Sequence, residues 1–224
     1  MVGQRGGEVS GADPTWRLPV PLRRVLILVP PLLLACLETI HPQPEANAQA
    51  VMDVSMWFAG FHVIQLVLIG PVALSVLLLA DSFGRVNAWV TRVGVGVFMV
   101  FFSAYDAVAG IGMGLAMRSA RDLSAVQQEG VLYVVKNWPV LGPPFALSII
   151  GTVGWVVAVG ALALAARRTG APRREWILLG LAAVSLLSGH PFPGGTVAFG
   201  SFFIAALLHE FWPTGRHSSS QSGA

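Results

Sequence analysis

Long apolar runs, separated by short polar segments, make up most of this chain. The runs cover about residues 25–40, 55–80, 93–117, 141–166 and 176–212. Apolar stretches of this kind form α-helices that cross the hydrocarbon core of a bilayer, which is about 30 Å thick. The pattern therefore predicts an all-α fold, a polytopic helical membrane bundle.

The last apolar run is too long for a single crossing. At a rise of 1.5 Å per residue, 176–212 would make a helix of about 55 Å. The segment 191–195, Pro-Phe-Pro-Gly-Gly, interrupts it near its centre, and proline and glycine break helices. We predict two short helices, 176–189 and 196–212, joined by a tight turn, and hence six spans. A single tilted helix is the alternative, and it gives five.

Basic residues are distributed unevenly between the two sides of this arrangement. With the N-terminus inside, only Arg118, Arg121 and Lys136 fall on the outer side, out of 14 Lys and Arg residues. Because cytoplasmic loops carry the excess of positive charge, we predict six spans with both termini in the cytoplasm. His209 and Glu210 then lie at the cytoplasmic end, where we expect them to be solvated.

A single transmembrane domain is predicted over 18–213. The flanking segments 1–17 and 214–224 are polar, and we expect both to be disordered cytoplasmic tails. The longest polar segment between spans, 118–139, spaces its apolar residues loosely enough for a helix that lies on the membrane surface.

Composition supports the membrane class. Charged residues make up 11% of the chain and hydrophobic residues 54%, whereas soluble domains carry about 25% charged residues. We expect the lipid bilayer as a partner and no nucleic acid. The single Cys36 excludes an internal disulfide and a cysteine-based zinc or iron–sulfur site. The preference for arginine over lysine is typical of a GC-rich bacterial genome.

The first apolar run also allows a competing interpretation. The segment 33–36, Leu-Leu-Ala-Cys, follows a pair of arginines and resembles a lipoprotein cleavage box. We favour a transmembrane span, because the apolar run continues past Cys36.

Five ionisable side chains lie in the predicted outer half of the bilayer: Glu38, His41, His62, Asp106 and His190. His62 lies about 10 Å below the outer start of the second span, and Asp106 about 16 Å below the outer end of the third. Glu38 and His41 share a helix face near headgroup level, where solvation costs little. Ionisable groups within a bilayer usually face the protein interior, and they are candidates for function.

Imidazole and carboxylate groups support several kinds of chemistry. Asp106, His62 and Glu38 are candidate catalytic residues. His62 and His190 are candidate cofactor ligands, since a haem takes two axial histidines. Glu38, His41, His62 and His190 are candidate ligands of a transition metal.

A structural role is the alternative for these same residues. Asp106 can be explained by a buried hydrogen bond to Ser103, Tyr105 or His62. His62 can be explained by a bond to Gln65 or to a backbone carbonyl across helices.

Small residues line one face of the third span: Ser103, Ala107, Gly110 and Gly114. Its glycines follow no strand and lie within a span, so they do not form a nucleotide-binding loop. Small residues allow close helix packing, so this stripe is a candidate contact for a second copy or another membrane partner.

Three functions remain open from the residues alone. The first is a membrane protein with an outward-facing site for a metal, haem or small ligand. The second is a small proton-coupled transporter, and the third is an accessory or structural subunit without a site of its own. Whether the chain is an enzyme stays open, since no diagnostic catalytic motif is present.

A set of short motifs resembles a pattern in small multi-span membrane proteins of actinobacteria. The motifs are His41-Pro42, Phe61-His62-x-x-Gln65, Tyr105-Asp106-Ala107-x-Ala109-Gly110 and His190-Pro191-x-Pro193-Gly194. The resemblance covers most of residues 25–210. These proteins are uncharacterised, so the resemblance implies a multi-span fold and no activity.

Overall fold

The computed structural model describes residues 18–42, 44–83 and 85–212, so the predicted tails 1–17 and 214–224 lie outside the described residues. The described residues are mostly helical and contain no β-strand. The helices are α1 (Val20–Thr39), α2 (Pro44–Asp53), α3 (Ser55–Ala80), α4 (Arg85–Tyr105), α5 (Met113–Ala120), α6 (Ala125–Leu141), α7 (Pro143–Arg168), α8 (Arg173–Ser185) and α9 (Gly194–Phe211). Turns of 3-10 helix cover Asp81–Phe83 and Leu186–Ser188, and Asp106–Gly112 is π-helical.

Among the described residues, five helical stretches are long and apolar enough to cross a membrane. They are Val20–Thr39, Ser55–Phe83, Ala88–Ala120, Pro143–Arg168 and Gly194–Phe211. Large apolar side chains such as Val67 and Val100 are exposed on their outer faces, as expected where lipid rather than water is the neighbour. The predicted helical bundle is confirmed, and these five stretches support its assignment to the membrane class.

The break in the last apolar run lies where the sequence predicts it. α8 ends at Ser185, α9 begins at Gly194, and the two helices pack against each other. Gly189 has a φ of +106°, a backbone conformation that favours glycine and helps the chain reverse. The run is therefore a hairpin and not one tilted helix.

The most extensive helix contact joins α4 and α7, and glycines make it close. A Cβ added at Gly154 would lie 2.5 Å from the backbone nitrogen of Phe98, and one at Gly94 would lie 2.6 Å from that of Ala158. Trp155, buried beside these glycines, donates its indole N–H to the carbonyl of Ala182 over 2.9 Å. This contact ties α7 to α4 and to α8.

Ion pairs mark one end of the bundle. Arg23, in the first turn of α1, pairs with Glu210 near the end of α9 and donates to Ser82, just after α3, over 3.0 Å. His209 Nδ1 lies 2.8 Å from Glu175 Oε1, near the start of α8. His209 and Glu210 are half-buried and paired, so the expectation that they are solvated is wrong.

The predicted helix in the segment 118–139 is present as α6, which packs on α2, α5 and α7. Arg121, just before it, donates to the carbonyl of Met52 at the end of α2. These contacts gather α2, α5 and α6 beside a second apolar cluster that includes Met52, Phe58 and Met117.

Candidate functional site

The five ionisable residues expected in the outer half of the bilayer lie together, at the end of the bundle opposite the ion pairs. Glu38 is in the last turn of α1, His41 follows that helix, and His62 is in α3. Asp106 opens the π-helical segment, and His190 is in the turn between α8 and α9. Contacts between them join all five into what we call the histidine cluster.

His41 and His62 face each other through their Nε2 atoms, which lie 3.0 Å apart. His62 Nδ1 lies 2.8 Å from the carbonyl oxygen of Phe58, and His41 Nδ1 lies 2.6 Å from that of Pro42. A carbonyl oxygen can only accept a hydrogen bond, so these two contacts favour the tautomer with the proton on Nδ1 of each ring. With this tautomer on both neutral rings, two Nε2 lone pairs lie close together, on atoms 3.0 Å apart.

Asp106 is buried beside this pair, with only 1% of the residue exposed. Its Oδ1 lies 3.9 Å from His62 Nε2. Among the described residues, neither carboxylate oxygen has a hydrogen-bond partner. The structural alternative, a hydrogen bond to Ser103, Tyr105 or His62, is therefore wrong. A buried carboxylate without donors is costly unless a proton or another cation joins it.

Glu38 is fully buried and bridges three elements. Its Oε1 accepts a hydrogen bond of 2.7 Å from Gln65 Nε2, and its Oε2 lies 2.8 Å from His190 Nδ1. A Cβ on Gly195 would lie 2.1 Å from Oε2, so the carboxylate packs on the first turn of α9, where the helix dipole favours an anion. The expectation that Glu38 is solvated at headgroup level is wrong, because α9 covers it.

Two further expectations about pairing are wrong. Glu38 and His41 do not share a helix face, since α1 ends at Thr39 and His41 lies in the chain beyond it. Gln65 donates to Glu38 and not to His62. The bond of His62 to a backbone carbonyl does form, within its own helix.

The π-helical segment forms the side of the histidine cluster against which His62 packs. Asp106 is its first residue, and such segments occur often at functional sites. A Cβ on Gly110 would lie 2.0 Å from His62 Cδ2. The imidazole therefore rests directly on the backbone of Gly110, and no larger residue fits there without moving the ring.

The small-residue stripe is partly used within the chain. Gly110 packs on His62, and a Cβ on Gly114 would lie 2.8 Å from the Cβ of Ala59 in α3. Ser103 and Ala107 are half-buried. Close helix packing is confirmed at the two glycines, and a partner bound through the stripe stays a prediction.

The surroundings of the imidazoles are apolar and aromatic. The ring centroid of His41 lies 5.0 Å from that of Phe61, and the centroid of His190 lies 5.3 Å from that of Phe102. For His41, which follows the first span, burial is the largest effect, and His190 and His62 add to it. Together they lower its pKa from 6.5 to about 2, so the ring is neutral at pH 7.

The side chains of the histidine cluster can be compared with the needs of a metal ion and of a haem. Within the described residues, no three His, Cys, Asp or Glu side chains are arranged to hold a metal ion as they stand. The possible metal ligands of the histidine cluster contact one another only in pairs. An axial haem on His62 and His190 does not fit, because the ring of His41 packs edge-on against both, with centroids 4.8 and 5.0 Å away.

An apolar cavity of about 720 Å³ lies elsewhere, between the π-helical segment and α6. Ala107, Val108 and Val131 are among its lining residues, and none of the histidine cluster is.

Glu175 was missed by the sequence analysis. It is 3% exposed and lies 2.8 Å from His209. Next to Arg173 and Arg174 it has the pattern of a solvated helix start. The predicted hairpin could have indicated this pair, because it brings the start of α8 beside the end of α9.

Comparisons with known proteins give no relative. No protein-family model matches the chain, and neither a curated protein nor a solved structure is significantly similar to it. The histidine cluster, set among described residues that are mostly helical and include five apolar stretches long enough to cross a membrane, is therefore the feature from which a function can be inferred.

Proposed function

We propose that this integral membrane protein binds a cation at the histidine cluster, on the outer side of a cell membrane. One observation carries the proposal: His41 Nε2 and His62 Nε2 lie 3.0 Å apart while both Nδ1 atoms face carbonyl oxygens. Two imidazole lone pairs repel at that distance. A shared cation between them, either a proton or a metal ion, turns the repulsion into attraction.

The neighbouring charges favour the same conclusion. The Asp106 carboxylate is buried 3.9 Å from His62 Nε2, so a positive charge beside it is stabilised by an opposite charge at short range. Glu38 is engaged by His190 and Gln65, which leaves Asp106 as the carboxylate for the shared cation.

The proposed topology has six spans with both termini in the cytoplasm. Glu38 comes 15 positions after Arg23, and His190 comes 15 positions after Glu175. At the rise of an α-helix, each segment extends about 22 Å along the bundle axis. This similarity supports counting α8 with its 3-10 turn, which together run from the ion-pair end to the histidine cluster, as a sixth crossing. The basic residues before α1 and at the α7–α8 connection favour a cytoplasmic location for the ion-pair end.

Cysteine labelling tests this topology. In a Cys36→Ser background, we expect a membrane-impermeant maleimide to label Val126→Cys from outside intact cells. Thr169→Cys should react only after the membrane is permeabilised. Both positions are exposed. The reverse pattern would invert the proposed orientation, and labelling of both from outside would remove α7 as a crossing.

Thermal stability tests the cation. Binding to the folded protein stabilises it by about 4 kcal/mol when the cation is at 1,000 times its Kd. If the cation is a metal ion, we expect the purified protein at pH 8 with chelator to be less stable than the same protein with added metal; if it is a shared proton, we expect stability to rise as the pH falls. His41→Phe should remove this dependence and His209→Phe should not. A wild type whose stability responds to neither pH nor metal would refute the proposal.

A small proton-coupled transporter is the second candidate, supported by the buried chain of His41, His62 and Asp106. With a proton as the shared cation, these groups form a relay in the outer half of the membrane. Proton-coupled flux in liposomes that is lost in Asp106→Asn would favour it. If His62→Ala and Asp106→Asn both left binding, flux and assembly unchanged, the accessory-subunit function would stand instead.

A further inference from the structure

We propose that the shared cation is a divalent transition-metal ion, with His41 Nε2, His62 Nε2 and the Asp106 carboxylate as its ligands. This inference rests on the proposed cation site and names the class of cation. Two imidazoles and one carboxylate are donors that Zn²⁺, Co²⁺, Ni²⁺ and Fe²⁺ accept, whereas Ca²⁺ and Mg²⁺ prefer oxygen ligands alone.

The distances fit such an ion after a small movement. Two metal–nitrogen bonds of about 2.0–2.1 Å, at angles between 90° and 110°, hold the nitrogens about 2.9–3.4 Å apart. The observed separation of the His41 and His62 Nε2 atoms is 3.0 Å. Asp106 Oδ1, at 3.9 Å from His62 Nε2, has to approach by less than about 1 Å to become the third ligand.

The surroundings of the two histidines are those of metal ligands. A ligating histidine almost always donates its other N–H to a carbonyl or carboxylate, which fixes its orientation. Here Phe58 and Pro42 accept from the two Nδ1 atoms. Gly110 supports the face of His62, and both Nε2 atoms are thereby held toward the same point.

A metal ion suits the pair better than a proton does. A divalent ion binds neutral imidazole and gains further from the Asp106 carboxylate, whose oxygens have no hydrogen-bond donor in the described part of the chain. His190, held by Glu38, lies beside this set and is not needed as a ligand.

Cobalt titration tests the inference. Protein in lipid nanodiscs is freed of metal with chelator and titrated with Co²⁺, whose visible absorption reports nitrogen and oxygen ligands, and Zn²⁺ is then added as a competitor. We expect one ion per chain. Affinity should fall at least 100-fold in His62→Ala and at least tenfold in Asp106→Asn. Asp106→Asn is isosteric, so it keeps the test decisive if His62→Ala does not fold.

His209→Ala is the matched control. His209 is also a half-buried histidine 2.8 Å from a carboxylate, but it lies at the opposite end of the bundle. We expect this variant to bind cobalt as the wild type does. Equal loss of binding in His209→Ala and His62→Ala would overturn the proposed ligand set.

The possible failures are distinguishable. If the wild type takes up neither Co²⁺ nor Zn²⁺ at millimolar concentration, the metal inference is wrong. If its stability then still rises as the pH falls, and does so through His41, the cation proposed above is a proton and that proposal survives. If stability depends on neither, the proposed function fails as well.

Discussion

Gly110→Ala should disturb the histidine cluster although it adds a single methyl group. The new Cβ would lie 2.0 Å from His62 Cδ2 and 2.2 Å from its Cγ. Ordinary contact begins near 3.4 Å, so the ring has to withdraw by about 1.4 Å, or the π-helical backbone has to move by a similar amount. Either movement separates His62 Nε2 from His41 Nε2.

The size of the effect follows from two opposing contributions. Overpacking a buried site costs about 1–3 kcal/mol, whereas replacing glycine by alanine inside a helix gains about 0.5–1 kcal/mol. Gly112→Ala isolates the second contribution, because its Cβ meets only the carbonyl oxygen of Ala107, at 3.4 Å. We expect Gly110→Ala to be about 1–3 kcal/mol less stable than Gly112→Ala.

Two measurements check this comparison. The free energy of unfolding in detergent should show the stability difference, and Co²⁺ titration should show at least a tenfold weaker affinity in Gly110→Ala only. If the two variants match in both measurements, the ring of His62 does not rest on Gly110 and the geometry of the cluster is wrong.

Two further predictions concern the carboxylates. Gly195→Ala places a Cβ 2.1 Å from Glu38 Oε2, so we expect the free energy of unfolding to fall by about 1–3 kcal/mol. Gly200→Ala is the control, because its Cβ meets nothing within 4 Å, and we expect its free energy of unfolding to be unchanged or higher. Glu175→Gln removes the charge that His209 faces. We expect the free energy of unfolding to fall by about 1–3 kcal/mol and the cobalt affinity to stay unchanged. A tenfold change in cobalt affinity would contradict the independence of the ion-pair end and the histidine cluster.

The sequence was sufficient to predict that the polar groups lie toward one end of the helical bundle. Apolar runs locate the helices, proline and glycine locate the hairpin, and the rise per residue places His62 and Asp106 in the same half of the bilayer. This is why residues from four different segments could be expected near one another without any knowledge of packing.

The pairing within the cluster was not predictable in the same way. It depends on the rotation of each helix about its axis, and the all-apolar faces of membrane helices give little signal for that rotation. The π-helical segment shifts the faces that follow Asp106. The burial of Glu38 depends on α9, whose first turn covers it only because the hairpin folds back on α1.

Nitrogen-15 NMR of the imidazoles tests the central claim most directly. The protonation of Nδ1 and Nε2 is read separately for each ring, with His41→Phe and His62→Phe used for assignment. We predict that both His41 and His62 carry their proton on Nδ1, and that both Nε2 signals shift when Zn²⁺ is added. A proton found on the Nε2 atom of one ring and absent from its Nδ1, unchanged by pH or Zn²⁺, would make the pair an ordinary neutral hydrogen bond and contradict a cation site.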